Sequence, residues 1–126
     1  MSNESSAHEH REFYERFQSF WAAPSGGRVA ELIAPHAKIH FTGAGTMSGA
    51  AYVDWMTNQL AALPDLVVTP VDFAGSGELI YIFWKAAATI NGAHRQWYGV
   101  DRFRIERGMA VEEHVIFDSA TLQGPV

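Results

Sequence analysis

Residues 96–118, QWYGVDRFRIERGMAVEEHVIFD, decide the fold. Polar and apolar side chains alternate on both sides of Arg107-Gly108, the pattern of two half-buried antiparallel strands joined by a tight turn. A two-residue type I′ turn would hold Arg107 at positive φ, which a bulky side chain resists. The expected connection is therefore a three-residue loop, Glu106-Arg107-Gly108, with Gly108 left-handed in a G1 bulge. Ile105 then faces Met109, Phe103 pairs with Val111, Asp101 with Glu113, Gly99 with Val115 and Trp97 with Phe117. Those ten residues form a face that is apolar apart from two carboxylates, and it should look inward. The other face is mixed and carries a natural Arg102–Glu112 pair across the strands.

The inward carboxylates carry the chemistry. Asp101 and Glu113, set opposite each other among aromatics, cannot both ionise cheaply, so one pKa should rise. A carboxyl group still protonated at neutral pH can donate a hydrogen bond or act as a general acid. The plainer reading has Glu113 reaching water at the sheet end and Asp101 bonded to a backbone or indole N–H. A two-residue turn would slip the register by one and undo the pairing.

Working outward, Leu79 to Ile90 is a long strand apolar on both faces, entered from Gly75-Ser76-Gly77 and left through Asn91-Gly92. Leu66 to Phe73 precedes it, and Pro70 marks an edge strand or a bulge. Upstream the period changes. Phe13, Phe17, Phe20 and Trp21 make one stripe on a first helix, and Pro24-Ser25-Gly26-Gly27 ends it. Val29 to Ile33 is expected as a short second helix stopped by Pro35, with Ala37 to Thr42 as a short strand. A glycine-bearing loop, residues 43–49, leads to a third helix from about Ala50 to Leu63, with Ser48 as its N-cap. Helices first and a β-meander after is the α+β pattern.

Composition narrows the possibilities. The 126 residues suit one domain, and 48% apolar content with eight Phe, four Trp and four Tyr can fill a core. Nine Lys and Arg against fourteen Asp and Glu leave a net charge of −5, which argues against nucleic acid as the partner. The absence of cysteine excludes disulfides, zinc–thiolate sites and thiol nucleophiles. No run approaches the roughly 20 apolar residues of a membrane span, and the polar N-terminus has no apolar leader. The expectation is a cytoplasmic protein with a disordered tail over residues 1–10, one domain over 11–122 and a short tail over 123–126.

Several of these features, in this order, resemble the SnoaL-like, ketosteroid isomerase-like branch of the nuclear transport factor 2-like superfamily. They are the aromatics of the first helix, Leu32-Ile33-Ala34-Pro35-His36 before a strand, the glycine loop into the third helix, and Leu63-Pro64-Asp65-Leu66. The ending Gly99-Val100-Asp101-Arg102-Phe103, followed by Gly108, Glu112 and Asp118, completes the set. The resemblance covers about residues 11 to 122. It implies a cone-shaped (cystatin-like) α+β fold, with a strongly curved, mostly antiparallel sheet packed on three helices around a pocket. It also implies frequent homodimers. Relatives include polyketide cyclases, isomerases, dehydratases, epoxide hydrolases and non-catalytic binders. Carried over by position, the ketosteroid isomerases' general-base aspartate falls at Phe41 and their helix-one tyrosine at Phe17. Their second, protonated aspartate falls at Asp101. The strand acid of cyclases and epoxide hydrolases falls at Val115, and the epoxide hydrolases' arginine and second aspartate fall near Trp84 and Ala86.

Two functions follow. One is a cofactor-independent acid/base enzyme, of isomerase, cyclase, dehydratase or hydrolase type, acting on a small hydrophobic or cyclic molecule. Asp101 and Glu113 would be catalytic, with Tyr14, Phe17, Phe41, Trp55, Trp84, Trp97, Val115 and Phe117 against the ligand. The other is a non-catalytic ligand-binding or dimerisation domain, with a homodimer through the outer sheet face. His40 is a candidate pocket base, although its alternation with Ile39 and Phe41 points it outward. His114 reads as a surface or interface residue and Asp118 as a rim residue. No His, Asp and Glu spacing makes a metal site, so neither metal nor cofactor is expected.

Overall fold

The computed structural model describes residues 3–120 of the chain. Its elements run α1 (Asn3–Ala22), a 3₁₀ helix (Gly26–Glu31), β1 (Ile33–Phe41), β2 (Gly45–Ser48) and α2 (Gly49–Ala62). Then come β3 (Val67–Ser76), β4 (Leu79–Ile90), β5 (Ala93–Glu106) and β6 (Met109–Phe117). The six strands form one curved sheet in the order β2-β1-β6-β5-β4-β3, and all neighbours are antiparallel except β1 and β6. This is the expected α+β architecture, with the helical segments on the inner face. No helix among the described residues is long and apolar enough to cross a membrane.

α1 starts well before residue 11, so the expected tail over residues 1–10 gives way to helix from Asn3. The reason is His10, which extends the inward stripe of Phe13, Tyr14 and Phe17 by one turn and is buried. Its ring lies flat against Gly75 of β3, where a Cβ would come within 2.1 Å of Nδ1. Its Nε2 donates to the Gly77 carbonyl at 2.8 Å. The expected tail over 123–126 lies outside the described residues.

Three other boundaries move. The second helix is the 3₁₀ segment Gly26–Glu31, and Pro35 sits inside β1 rather than ending a helix. The residues expected as a glycine loop pair with β1 as β2, from Lys38 opposite Ser48 to Phe41 opposite Gly45. β5 begins at Ala93, three residues before Gln96. Ser48 does cap α2, accepting from the Ala51 N–H at 3.0 Å. Pro70 does lie on an edge strand, where the β3 register shifts before Asp72.

The final hairpin corrects the expected register. Arg107 (φ 53°) and Gly108 (φ 78°) form the two-residue turn after all, with Glu106 opposite Met109. Left-handed backbone at a non-glycine residue costs roughly 1–2 kcal/mol. The twist of the strands favours that turn, and the Arg16 guanidinium ties the Gly108 carbonyl to α1. Unaltered, this turn would flip every later side chain of β6. One extra residue prevents it: Ile105 faces Ala110 but Arg104 faces Glu112, so Val111 is a bulge. Phe103 then faces Glu113, Asp101 faces Val115 and Gly99 faces Phe117. The register is therefore two residues from the expected one, which keeps Asp101 and Glu113 on the same face but as diagonal neighbours. Ala110, fully buried, takes the inward place expected for Met109 and Val111.

The core fills the inner face. Phe103 receives the rings of Phe13 and Phe17 edge-on at 4.8 and 5.9 Å, beside the inward Ile80 and Ile82 of β4 and Ile39 of β1. The outer face keeps Tyr81, Phe83, Tyr98 and Ile116 exposed.

Candidate functional site

Asp101 stands at mid-length of β5, inward, 6% exposed, and its Oδ1 accepts from the Trp84 indole Nε1 at 3.0 Å. Gly99 makes that bond possible. It is Trp84's cross-strand partner, and a Cβ there would meet the indole at 2.3 Å. The indole therefore lies over bare backbone with its N–H aimed one pair further, at Asp101.

Glu113 is buried more deeply, at 3% exposure, between its partners Phe103 on β5 and Ile39 on β1. It does not snorkel to water. The two carboxyl groups lie within hydrogen-bonding reach of each other, and among the described residues no cation pairs with either. Burial pushes the Asp101 carboxyl up to about 6, against the bonds from Glu113 and Trp84 that favour its charged form. Burial first, and Asp101's charge second, push Glu113 well above the usual carboxylate range. Desolvation thus raises both acids, and the two titrate as a pair that shares one proton.

The principal cavity among the described residues, about 100 Å³, opens onto Asp101. Of the residues expected against a ligand, Phe41, Trp55, Trp84, Trp97, Val115 and Phe117 all line it. Tyr14 does not; it packs on Phe73 at 4.6 Å where α1 meets β3. Phe17 and Glu113 line only a smaller void of about 20 Å³ behind, which Asp101 also touches. Asp101 therefore touches both cavities and links the larger one to its partner carboxyl.

Tyr52 was not among the residues expected against a ligand. It projects from α2 into both spaces, and burial, then the charges of Glu113 and Asp101, push its phenol well above 10. It is a neutral hydroxyl beside the two acids. Its place in an otherwise apolar stripe with Trp55 and Met56 was the available signal. Gln59 adds the other polar tip on the cavity wall.

The remaining candidates lie elsewhere. His40 points outward, so it is not a pocket base. Its Nδ1 contacts Thr46 Oγ1 at 3.0 Å, and its ring stacks on His114 at 4.2 Å. Asp118 is exposed and accepts from the Ala120 N–H, a local capping role. Arg102 still reaches Glu112, at 3.6 Å, although its direct partner is His114. The ligand atoms of His40, Glu112 and His114 come within 4.8 Å of one another, a grouping that no sequence spacing announced.

The SnoaL-like domain family matches residues 10–113. Among solved structures, IdmH of Streptomyces antibioticus, provisionally a polyketide cyclase, is 20% identical with a TM-score of 0.77, covering 90% of this chain and 94% of that one. A provisional SnoaL-like polyketide cyclase of Jannaschia is 13% identical with a TM-score of 0.75, covering 94% of each chain. A hypothetical protein of Catenulispora acidiphila with a ketosteroid isomerase-like fold, in complex with trimethylamine, is 14% identical with a TM-score of 0.76, covering 88% of each. These likenesses are of fold. No curated protein matches the chain.

Proposed function

The chain belongs to the SnoaL-like domain family, and from that premise we propose that it is a cofactor-independent acid/base enzyme for a small hydrophobic or cyclic carbonyl compound. One observation carries the reading: a buried carboxyl at the end of an aromatic cavity, held by an indole N–H, with a second buried carboxyl beside it and both raised by desolvation. A base with a pKa near the working pH is the efficient kind. Asp101 takes a proton from carbon next to the carbonyl, while Trp84 holds it in place. Glu113 stays protonated and tunes Asp101 through their hydrogen bond. The Tyr52 hydroxyl donates to the oxygen on which charge develops. Proton return to another carbon, ring closure or loss of a leaving group would complete an isomerisation, a cyclisation or a dehydration. The polyketide-cyclase names among its structural neighbours agree with such a substrate.

The second reading, a non-catalytic binder, is favoured by one fact: Glu113 lies outside the principal cavity, so a ligand meets a single acid. A homodimer through Tyr81, Phe83, Tyr98 and Ile116 suits either reading, because these exposed apolar residues share the outer face. The cysteine-free composition suits a reducing, cytoplasmic setting.

The test is exchange of α-protons for deuterium in a panel of cyclic ketones and enones, followed by NMR. The chain should accelerate exchange in at least one compound it binds, and Asp101→Asn should lose about 10²–10⁴-fold of that rate. Ligands that bind tightly yet exchange no faster than in buffer would favour the non-catalytic reading.

A further inference from the structure

On the sheet face opposite the cavity, three side chains converge that the acid/base chemistry leaves unused. We propose that His40, Glu112 and His114 form a binding site for one divalent transition-metal ion, of which zinc is the type.

The backbone sets the three side by side. A period of two puts Glu112 and His114 on the same face of β6. The parallel β1–β6 pairing puts His40 directly opposite His114. The two imidazoles stack at 4.2 Å with an interplanar angle of 16°, and His114 Nε2 lies 3.5 Å from Glu112 Oε1. One ligand atom from each residue falls within 4.8 Å of the others. Tetrahedral ligands about 2.0–2.1 Å from zinc stand roughly 3.4 Å apart, so small side-chain rotations close the set.

The orientation of His40 is already fixed. Its Nδ1 is 3.0 Å from Thr46 Oγ1 on β2. With Nδ1 donating there, the Nε2 lone pair is left for a metal, the arrangement that outer hydrogen bonds commonly impose on a histidine ligand. Two imidazoles and a carboxylate, with no thiolate, favour zinc, nickel or copper over magnesium or calcium. Half-burial of Glu112 and His114 leaves the site reachable, with a fourth position open to water.

Two cations compete with the metal. Arg102 Nη1 lies 3.6 Å from Glu112 Oε1, and Lys38 is the β1 partner of Glu112. Binding must displace Arg102 from that carboxylate, which gives the site a signature of its own. Removing Arg102 should strengthen metal binding, whereas removing a surface cation elsewhere should leave it unchanged. A bound metal would also bridge β1 to β6, the one parallel seam of the sheet.

The experiment titrates zinc chloride into the metal-free chain, following heat and the histidine ring resonances by NMR. Expected are one zinc per chain and shifts of the His40 and His114 ring signals together. Affinity should fall at least tenfold in His40→Ala and in His114→Ala, and rise several-fold in Arg102→Gln. The His8–Glu12 pair on α1 is the nearest rival, and His8→Ala should change nothing. Unmoved ring signals of His40 and His114 at saturating zinc would overturn the proposal in the unaltered chain. So would equal affinity in the unaltered chain and a folded His114→Ala variant.

Discussion

Glu112 and Glu113 are consecutive residues of one strand, and they live in different solvents. Glu112 faces outward, half-exposed, with Arg102 at 3.6 Å and His114 at 3.5 Å. Glu113 faces inward, with no cation and a second acid for company. Outside, the carboxyl keeps its contact with water and with two basic neighbours. Inside, desolvation makes the neutral form the stable one. The single residue Val111, bulged out of the β5–β6 ladder, chooses which glutamate goes where. The chemistry of this protein is thus a matter of strand parity as much as of composition.

The largest effect should come from reversing one charge on each face. Glu113→Lys would bury an unpaired ammonium among Phe103, Ile39 and Tyr52, and should destabilise by about 3–5 kcal/mol or abolish folding. Glu112→Lys, one residue earlier, trades a partly exposed ion pair for solvent-screened repulsion from Arg102 and Lys38, and should cost about 1–2 kcal/mol at most. Urea denaturation of the two variants side by side tests this, and comparable losses would mean that the faces are not as different as described. Next in size is Gly99→Ala. Its methyl would strike the Trp84 ring at 2.3 Å, so the indole must leave Asp101 or the strands must part. A loss of about 2–3 kcal/mol is expected, with a changed Trp84 indole N–H signal in NMR. An unshifted signal would contradict the contact.

Much of this was legible in the sequence, for physical reasons. Alternation along residues 96–118 pointed to the last two strands, because a half-buried strand has few other ways to be written, and the apolar run 79–90 between turn signals pointed to the one before them. Alternation also gave the shared face of Asp101 and Glu113, since parity survives a shift of two. The turn was misjudged by weighing the left-handed cost at Arg107 alone. The compensating gains lie in strand twist and in the Arg16 anchor 92 residues distant in sequence, which local reading cannot weigh. His10 was lost to the tail because its partner is the missing side chain of Gly75. Tyr52 stands among apolar neighbours on α2, and the His40–His114 stack needed the parallel pairing of β1 with β6, which sets residues 74 positions apart side by side.

A smaller effect tests the inner pair through pH. Both acids have folded pKa values above their unfolded ones of about 4, so the folded state holds more protons than the unfolded chain above that pH. Stability contributed by the pair is therefore full below about pH 4 and falls as pH rises, through about 6 for Asp101 and further for Glu113. Glu113→Gln keeps the shape and a donor to Asp101 but cannot ionise. Its urea midpoint should match that of the unaltered chain near pH 4.5 and exceed it at pH 8.5 by about 1–3 kcal/mol of stability. A difference that did not grow with pH would show that burial does not raise the Glu113 carboxyl.

The outer face should yield the smallest change in the stability of the single chain and a large one in assembly. Phe83 and Tyr98 stack on each other at 5.6 Å, and both remain exposed. Inside, the Phe41–Trp55 pair lines the cavity; outside, no element among the described residues covers Phe83 and Tyr98. Tyr98→Lys, at a position already 62% exposed, removes little that the monomer buries, so its unfolding free energy should move by about 0.5 kcal/mol or less. In a dimer built on this face the same lysine meets its own copy and the partner's apolar surface. Light scattering after size exclusion should then report a single chain for Tyr98→Lys and two for the unaltered protein. Two chains in both would move the dimer contact off this face, and one chain in both would leave the outer aromatics open to solvent, so either outcome breaks the parallel between the two sides of the sheet.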